Sequence, residues 1–495
     1  MTTSVHSNGK DKSILERIAR RAMIERGFAP DYSTEALAEV EKMQQIETPK
    51  DPSARDLSTL LWASIDNDDS LDLDQLTVAE AQADQSVRVL VAVADVAALV
   101  KRGSAVDSHA VQNTTSVYTA GKTFHMLPEK LSTDLTSLNY QRYRPAVVTE
   151  FIVDPAGHIL SSEVYSARVF NFAKLAYNSV AAWLEGKGPA PQAVNAVPGL
   201  AENLRLQDRV AQQLRARRHE RGALELQTLE TRPVFLDNEI KDLQAEETNR
   251  AKQIIEDFMI AANDITARFL LSKNVPSLRR VVRVPKRWDR IVEIAAQYHS
   301  NLPAAPDSKA LAAFLNAQRL ADPLHFPDLS LTIIKLLGPG EYVVESPDEI
   351  SAGHFGLAVK DYAHSTAPNR RFPDLITQRI LKSIIGTAPF AYTKDELNYL
   401  AAHCTQKEDD ANKVERLVAK SAAAMLLSSR IGDQFSAICT GAADKGTWVR
   451  ILRPPIEGRL LRGYQGVDVG QRLKVKLIHT DVEKGFIDFE RVADR

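Results

Sequence analysis

The stretch Ile65-Asp66-Asn67-Asp68-Asp69-Ser70-Leu71-Asp72-Leu73-Asp74-Gln75 decides how the rest of the chain is read, because it places five aspartates within nine residues. Carboxylates this close repel one another and resist ionising together. A dication removes that conflict. Hard ions such as Mg²⁺ take oxygen ligands, usually one or two carboxylates completed by waters and substrate phosphates. Side chains alternate along an extended chain, so Asp72 and Asp74 are expected on one side and Leu71 and Leu73 on the other. Asp66 follows the apolar run Leu60-Leu61-Trp62 and is expected to approach from the neighbouring turn. The pattern predicts a carboxylate cradle for metal-assisted phosphoryl chemistry. Taken alone, an acidic run reads first as a solvated loop, and the interleaved leucines speak against that. A calcium loop of the EF-hand type fails, because its sixth position would be Leu71 rather than glycine and its twelfth Thr77 rather than glutamate.

Around this stretch lie 495 residues, enough for two to four domains, with 44% hydrophobic content for a sizeable core. The net charge is −2, so no global basic field attracts nucleic acid, and any such path must be a local groove. Two distant cysteines, Cys404 and Cys439, exclude a disulfide framework and a cysteine-based zinc site. No apolar run approaches the ~20 residues needed to span a membrane, and the polar N-terminus carries no signal-peptide core. A monomeric cytoplasmic protein is expected.

Residues 1–12 read as a polar, disordered lead. Ser13-x-x-Glu16 is a capping-box pattern ahead of a helix that Gly27 and Pro30 end, and a second helix is expected from Ser33 to Met43. Arg17, Arg20, Arg21 and Arg26 make the first helix basic. A helix-turn-helix touching nucleic-acid phosphates and a solvated basic face packed on the next domain both fit that pattern, the second better. Val87 to Asp95 reads as a strand buried on both faces, with Asp95 as a turn or cap. The arginines Arg215, Arg217, Arg218 and Arg221 close one helix, where they favour its C-terminus. A strong amphipathic helix runs from Arg250 to Leu271. Further helices are expected over Leu375–Ile385 and Val414–Ser429, with a Thr393-x-x-Glu396 box between them. From Gly432 onward, short strands separated by Gly and Asp turns predict an OB-fold barrel with a basic surface that includes Arg450, Lys474 and Lys476.

The acidic spacing Asp66-x5-Asp72-x-Asp74 resembles the signature of the ribonuclease II (RNB) family of exoribonucleases. The resemblance continues through Gly103 to Asp107, Ser116-Val117-Tyr118, Met126 to Ser132, Lys174 to Val180, Ile255 to Asn263 and His354 to Asp374, and covers nearly everything from Gly27 to Arg495. It implies an α/β (α+β) multidomain chain. A helical segment would occupy 1–48, a mixed-sheet RNB catalytic domain with packed helices 49–431, and an S1 RNA-binding barrel of the OB-fold type 432–495.

The resemblance also implies roles. Mg²⁺, or Mn²⁺, would be bound by Asp66, Asp72 and Asp74, with Gln75 able to add a neutral oxygen. Asp74 would serve the attacking water and Arg370 the scissile phosphate, its guanidinium fork offsetting charge there. Tyr118 would stack on a base and Tyr177 would contact the 3′-terminal nucleotide. Glu256, Arg280 and Glu415 would hold the 3′ end of single-stranded RNA, and Trp448 of the barrel would stack. For Phe486, a place in the barrel core is the better reading. The sequence departs from the family pattern at Gln75 for an acid, Asn113 for an arginine, Leu226 for an aromatic and Val282 for a histidine. Asn369 replaces an aliphatic residue, Phe372 a tyrosine and Gln378 a histidine. The cold-shock barrels that roof the RNA channel in bacterial members are expected to be absent or replaced by the short helices. A hydrolytic 3′-to-5′ exoribonuclease is therefore expected. A non-catalytic RNA-binding protein is its rival, and a DNA exonuclease a weaker third.

Overall fold

The β-branched run Val87–Ala94 becomes the middle strand of a seven-stranded mixed sheet. In this computed structural model the described residues are 10–47, 51–227, 231–245, 248–346, 353–386, 392–443 and 445–492. The strands are β1 (Arg55–Asp56), β2 (Ala63–Asp66), β3 (Gln75–Ala81), β4 (Val87–Ala94), β5 (Tyr143–Val153), β6 (Ile159–Phe170) and β7 (Ala173–Ala176). Their order is β1-β6-β5-β4-β3-β2-β7. The inner pairs are antiparallel, while β1 on β6 and β2 on β7 are parallel. Every residue of β4 except Arg88 is buried, as a strand covered on both faces requires. Asp95 caps the turn that follows, accepting the Ala98 N–H at 3.1 Å and pairing with Lys382.

The chain enters through α1 (Lys10–Glu25) and α2 (Thr34–Glu41). Helix α1 is already formed at Lys10, so Ser13 lies inside it and does not cap it; residues 1–9 lie outside the described residues. Its apolar face, Leu15, Ile18, Ala22 and Met23, is buried in one cluster with Ala411, Val414 and Val418. Burying each large side chain contributes about 1.5–3 kcal/mol, enough to fix the helix on the body. Its arginines are spent on protein carboxylates. Arg17 and Arg21 hold Glu483, Arg20 holds Asp31, and Arg26 faces Asp410 at 3.6 Å. The basic stripe stays partly exposed and meets these carboxylates, while the helix packs on the body through its apolar face.

Three helices pack beside the sheet: α3 (Leu200–Glu220), α4 (Arg250–Ser272) and α5 (Phe372–Ile385). A longer helix, α6 (Lys394–Leu427), is one uninterrupted helix of 34 residues where the sequence reading expected a capping box and a separate later helix. No glycine or proline breaks the stretch, so nothing stops propagation, and Thr393 with Glu396 closes its first turn.

The C-terminal strands Gln434–Ala443, Gly446–Leu452, Pro455–Arg462, Arg472–Asp481 and Phe486–Arg491 close into a barrel. The third was not legible, because prolines and a glycine interrupt its pattern. Gly458 points inward there, where a Cβ would lie 2.5 Å from the Ile487 carbonyl and the Phe489 ring. Phe486 is exposed rather than in the barrel core. Arg450 is not free surface either: it pairs with Asp328 at 2.9 Å, joining barrel to body. Among the described residues no helix is long and apolar enough to cross a membrane.

Candidate active site

Strand β2 ends at Asp66 and β3 begins at Gln75, so the acidic stretch is the connection between two paired strands. It is pinned from the side. The Leu73 N–H donates to Ser137 Oγ at 2.9 Å, the Leu138 N–H to the Leu73 carbonyl at 2.9 Å, and the Ala94 N–H to the Asp74 carbonyl at 2.9 Å. The expected grouping of Leu71 with Leu73 on one side fails. Leu73 is 2% exposed, but Leu71 is 60% exposed and points to solvent. Asp72 is half-buried, and Asp74 is only 3% exposed.

The segment Thr366 to Arg371 closes over this loop from the far end of the chain. The Asn369 N–H donates to Asp74 Oδ1 at 3.0 Å, across 295 residues. Arg370 Nε lies 3.6 Å from Asp74 Oδ2, and the Arg370 side chain remains 41% exposed. Gln75 adds a clamp by donating its side-chain N–H to the Thr366 carbonyl. Pro368 begins a tight turn in which the Arg371 N–H returns to the Ala367 carbonyl at 2.9 Å. The two arginines therefore diverge. Arg370 faces the acidic cluster, while Arg371 turns inward and pairs with the fully buried Asp374 at 2.7 Å.

Burial pushes the Asp74 carboxyl up to about 7, against the favourable pull of Arg370 and the Asn369 N–H, with Asp72 adding repulsion. Burial also raises Asp66; the Asn67 N–H and Ser70 oppose this, and Asp72 adds to it. Strand register delivers the next residue. Asp66 sits opposite Ala176 at the end of β7, so Tyr177 begins its helix beside Asp66. Burial and then the Asp66 charge raise the Tyr177 hydroxyl.

Tyr118 arrives through the neighbouring segment, because the Ser116 N–H donates to the Arg370 carbonyl at 2.9 Å. Its hydroxyl lies 3.4 Å from Asp72 Oδ2, its backbone N–H donates to Glu415 Oε1 of α6 at 2.8 Å, and the residue is 44% exposed. Asp66, Asp72, Asp74, Gln75, Tyr118, Tyr177, Arg370 and Glu415 thus form one neighbourhood. The remaining predicted residues are engaged elsewhere. Glu256 pairs with Arg215 at 2.7 Å. Arg280 pairs with Glu408 and lies over the Tyr342 ring at 4.8 Å. Trp448 is half-buried in the barrel opposite Arg459. One partner of the acidic stretch was missed: Arg232, whose Nη2 is 2.9 Å from Asp69 Oδ2. No local pattern signals a contact that spans 163 residues.

Among the described residues no three acidic, histidine or cysteine side chains gather into a closed metal cage. Mg²⁺ does not need one, since one or two carboxylates, waters and substrate phosphates suffice. Two desolvated carboxylates with raised pKa, facing a third, fit such an open site. Gln75 has given its N–H to Thr366, which leaves only its neutral oxygen for a cation.

The RNB domain family matches residues 54–387, about two thirds of the chain. The chain belongs to the RNB family. The RNase II-type exonuclease C-terminal S1 domain matches residues 433–492, the barrel. Ribonuclease R of Vibrio parahaemolyticus is 30% identical over 477 residues, which cover 88% of this chain but only 56% of that protein. The chain thus spans little more than half the length of that relative. The solved structure of Mycoplasma genitalium RNase R with ribose-methylated single-stranded RNA has a TM-score of 0.87 at 23% identity, over 98% of this chain and 78% of that one. Yeast Ssd1, a pseudonuclease, shares the fold at a TM-score of 0.70 and 15% identity, over 90% of this chain and 55% of that one.

Five residues that depart from the RNB family pattern are used structurally in this chain. Asn113 is buried, and its amide bonds both the N–H and the carbonyl of Ala29 at 2.8 Å, fastening the N-terminal connector. Asn369 accepts the Thr136 hydroxyl at 2.6 Å. Val282 bonds Gly353 and Phe355 through its backbone. Leu226 packs beside the cluster of Trp288 and Phe314. Gln378 accepts the Ala97 N–H at 2.9 Å and donates to the Ala94 carbonyl at 2.7 Å, closing the end of β4. Gln378→Leu strands both buried backbone groups, so chemical denaturation should show a loss of about 2–4 kcal/mol. The rate per folded molecule should stay unchanged. A variant as stable as the parent would contradict this role.

Proposed function

We propose that the chain is a hydrolytic 3′-to-5′ exoribonuclease that releases nucleoside 5′-monophosphates from single-stranded RNA with Mg²⁺, or Mn²⁺ in its place. The observation that carries this reading is the meeting of Asp74 and Arg370, a buried carboxylate and a half-exposed guanidinium from distant segments. A fold shared with a pseudonuclease does not separate hydrolysis from binding; what supports hydrolysis is a desolvated acid that meets a half-exposed guanidinium at the rim of the acidic stretch.

Bound at Asp66 and Asp72, Mg²⁺ would supply Lewis-acid polarisation of the phosphate and a lower pKa for coordinated water. Asp74, whose carboxyl burial pushes upward, is suited to hold the attacking water and take its proton. Arg370 is suited to donate two N–H groups to the phosphate oxygens as charge gathers on them. Tyr118 offers a ring to a base, with Glu415 fixing its backbone, and Tyr177 stands beside Asp66 for the terminal nucleotide. Glu256 and Arg280 reach RNA only by exchanging their ion pairs with Arg215 and Glu408. Trp448 extends the path over the barrel.

Digestion of a 5′-labelled single-stranded RNA tests the reading. Stepwise shortening with Mg²⁺, none after chelation and little on the matching DNA are expected. Tight binding without shortening would establish the non-catalytic alternative instead, and equal digestion of DNA would overturn the assignment to RNA.

A further inference from the structure

The acidic stretch sets a problem for a polyanionic substrate. Five aspartates repel the phosphates that must come close to them, and Arg370 alone faces Asp74 from the second segment. A second guanidinium comes from an unexpected place. Between α3 and α4 the chain makes a hairpin, Thr231–Leu236 with Glu239–Ala245, turned at Asp237 and Asn238, both at positive φ. The hairpin is firmly seated. Phe235 and Ile240 pack with the α1–α6 cluster, Leu243 packs with the barrel core, and the Ile240 N–H donates to Asp11 at 3.2 Å. Its first strand carries Arg232 to the rim of the acidic stretch, where the guanidinium meets Asp69.

We propose that Arg232 is an RNA-binding residue, which trades Asp69 for a backbone phosphate of the strand entering the site. The inference rests on the exoribonuclease reading and deepens it. The ion pair is open to solvent, with side chains 53% and 64% exposed, so it holds Arg232 with at most about 1 kcal/mol. A phosphate binds the same planar fork at two points and carries more charge per contact. Asp69 keeps the guanidinium aimed along the acidic rim until RNA arrives. The anchored hairpin keeps that position fixed between barrel and catalytic loop, so Arg232 contacts the backbone without selecting bases.

Binding of a fluorescein-labelled single-stranded RNA across a KCl series tests this, in an Asp74→Asn background that is not expected to degrade the probe. Arg232→Ala should weaken binding about tenfold and lower the salt slope by about 0.7–0.9, the value of one lost phosphate contact. Arg232→Lys should keep the slope. Asp69→Asn should tighten binding when Arg232 is present and lose most of that effect in the Arg232→Ala protein. Unchanged affinity and slope for Arg232→Ala, in a parent that binds RNA, would overturn the inference and leave the exoribonuclease reading standing. A parent with no affinity for RNA would overturn both.

Discussion

Asp74→Asn should reduce hydrolysis of single-stranded RNA by about 10³-fold in kcat, in the range expected for losing a positioned proton acceptor. RNA affinity should change by less than threefold. The two readouts separate because the carboxamide can keep the structural contact. Its oxygen still accepts the Asn369 N–H that Asp74 Oδ1 accepts now. What disappears is the charge and the basicity of a buried group whose pKa is pushed up to about 7. Removing that charge also removes a desolvation cost, so thermal unfolding should show the variant at least as stable as the parent. A fall in stability together with activity would mean that Asp74 is a structural aspartate.

Arg370 and Arg371 make the second large contrast, because neighbours in sequence have opposite fates. Arg370→Ala should lower kcat by about 10²–10³-fold, the usual cost of removing one transition-state donor, with little loss of stability from a side chain 41% exposed. Arg371→Ala should do the reverse. It leaves Asp374, fully buried, without its cation, and breaking a buried pair on one side costs about 3–5 kcal/mol. Urea denaturation and steady-state kinetics on the two variants check the division. If both lose activity in proportion to folded protein, Arg370 has no role at the phosphate.

Much of this site was legible because it is written locally. The acidic spacing lies on one turn, the β4 run reads as a covered strand, and the two arginines follow a proline. The illegible part depends on partners far away in sequence. Leu71 looked like a core residue, yet the Ser137 hydroxyl accepts the Leu73 N–H and bonds the Leu71 carbonyl, turning the Leu71 side chain outward. Asn113 and Gln378 read only as departures from the family pattern, and the backbone groups that each amide satisfies are ones no sequence pattern pairs with it. The basic stripe of α1 gave no sign of which carboxylates it meets, Glu483, Asp31 and Asp410. Arg232 gave no signal at all.

The central claim is that the acidic stretch and the Arg370 turn act as one catalytic unit. Single-turnover hydrolysis of a short RNA by the parent, Asp74→Asn, Arg370→Ala and the double variant measures this directly. Groups that act together are strongly non-additive, so the double variant should be little slower than the worse single variant. Losses that multiply, or an Asp74→Asn protein that hydrolyses at the parent rate, would contradict the claim.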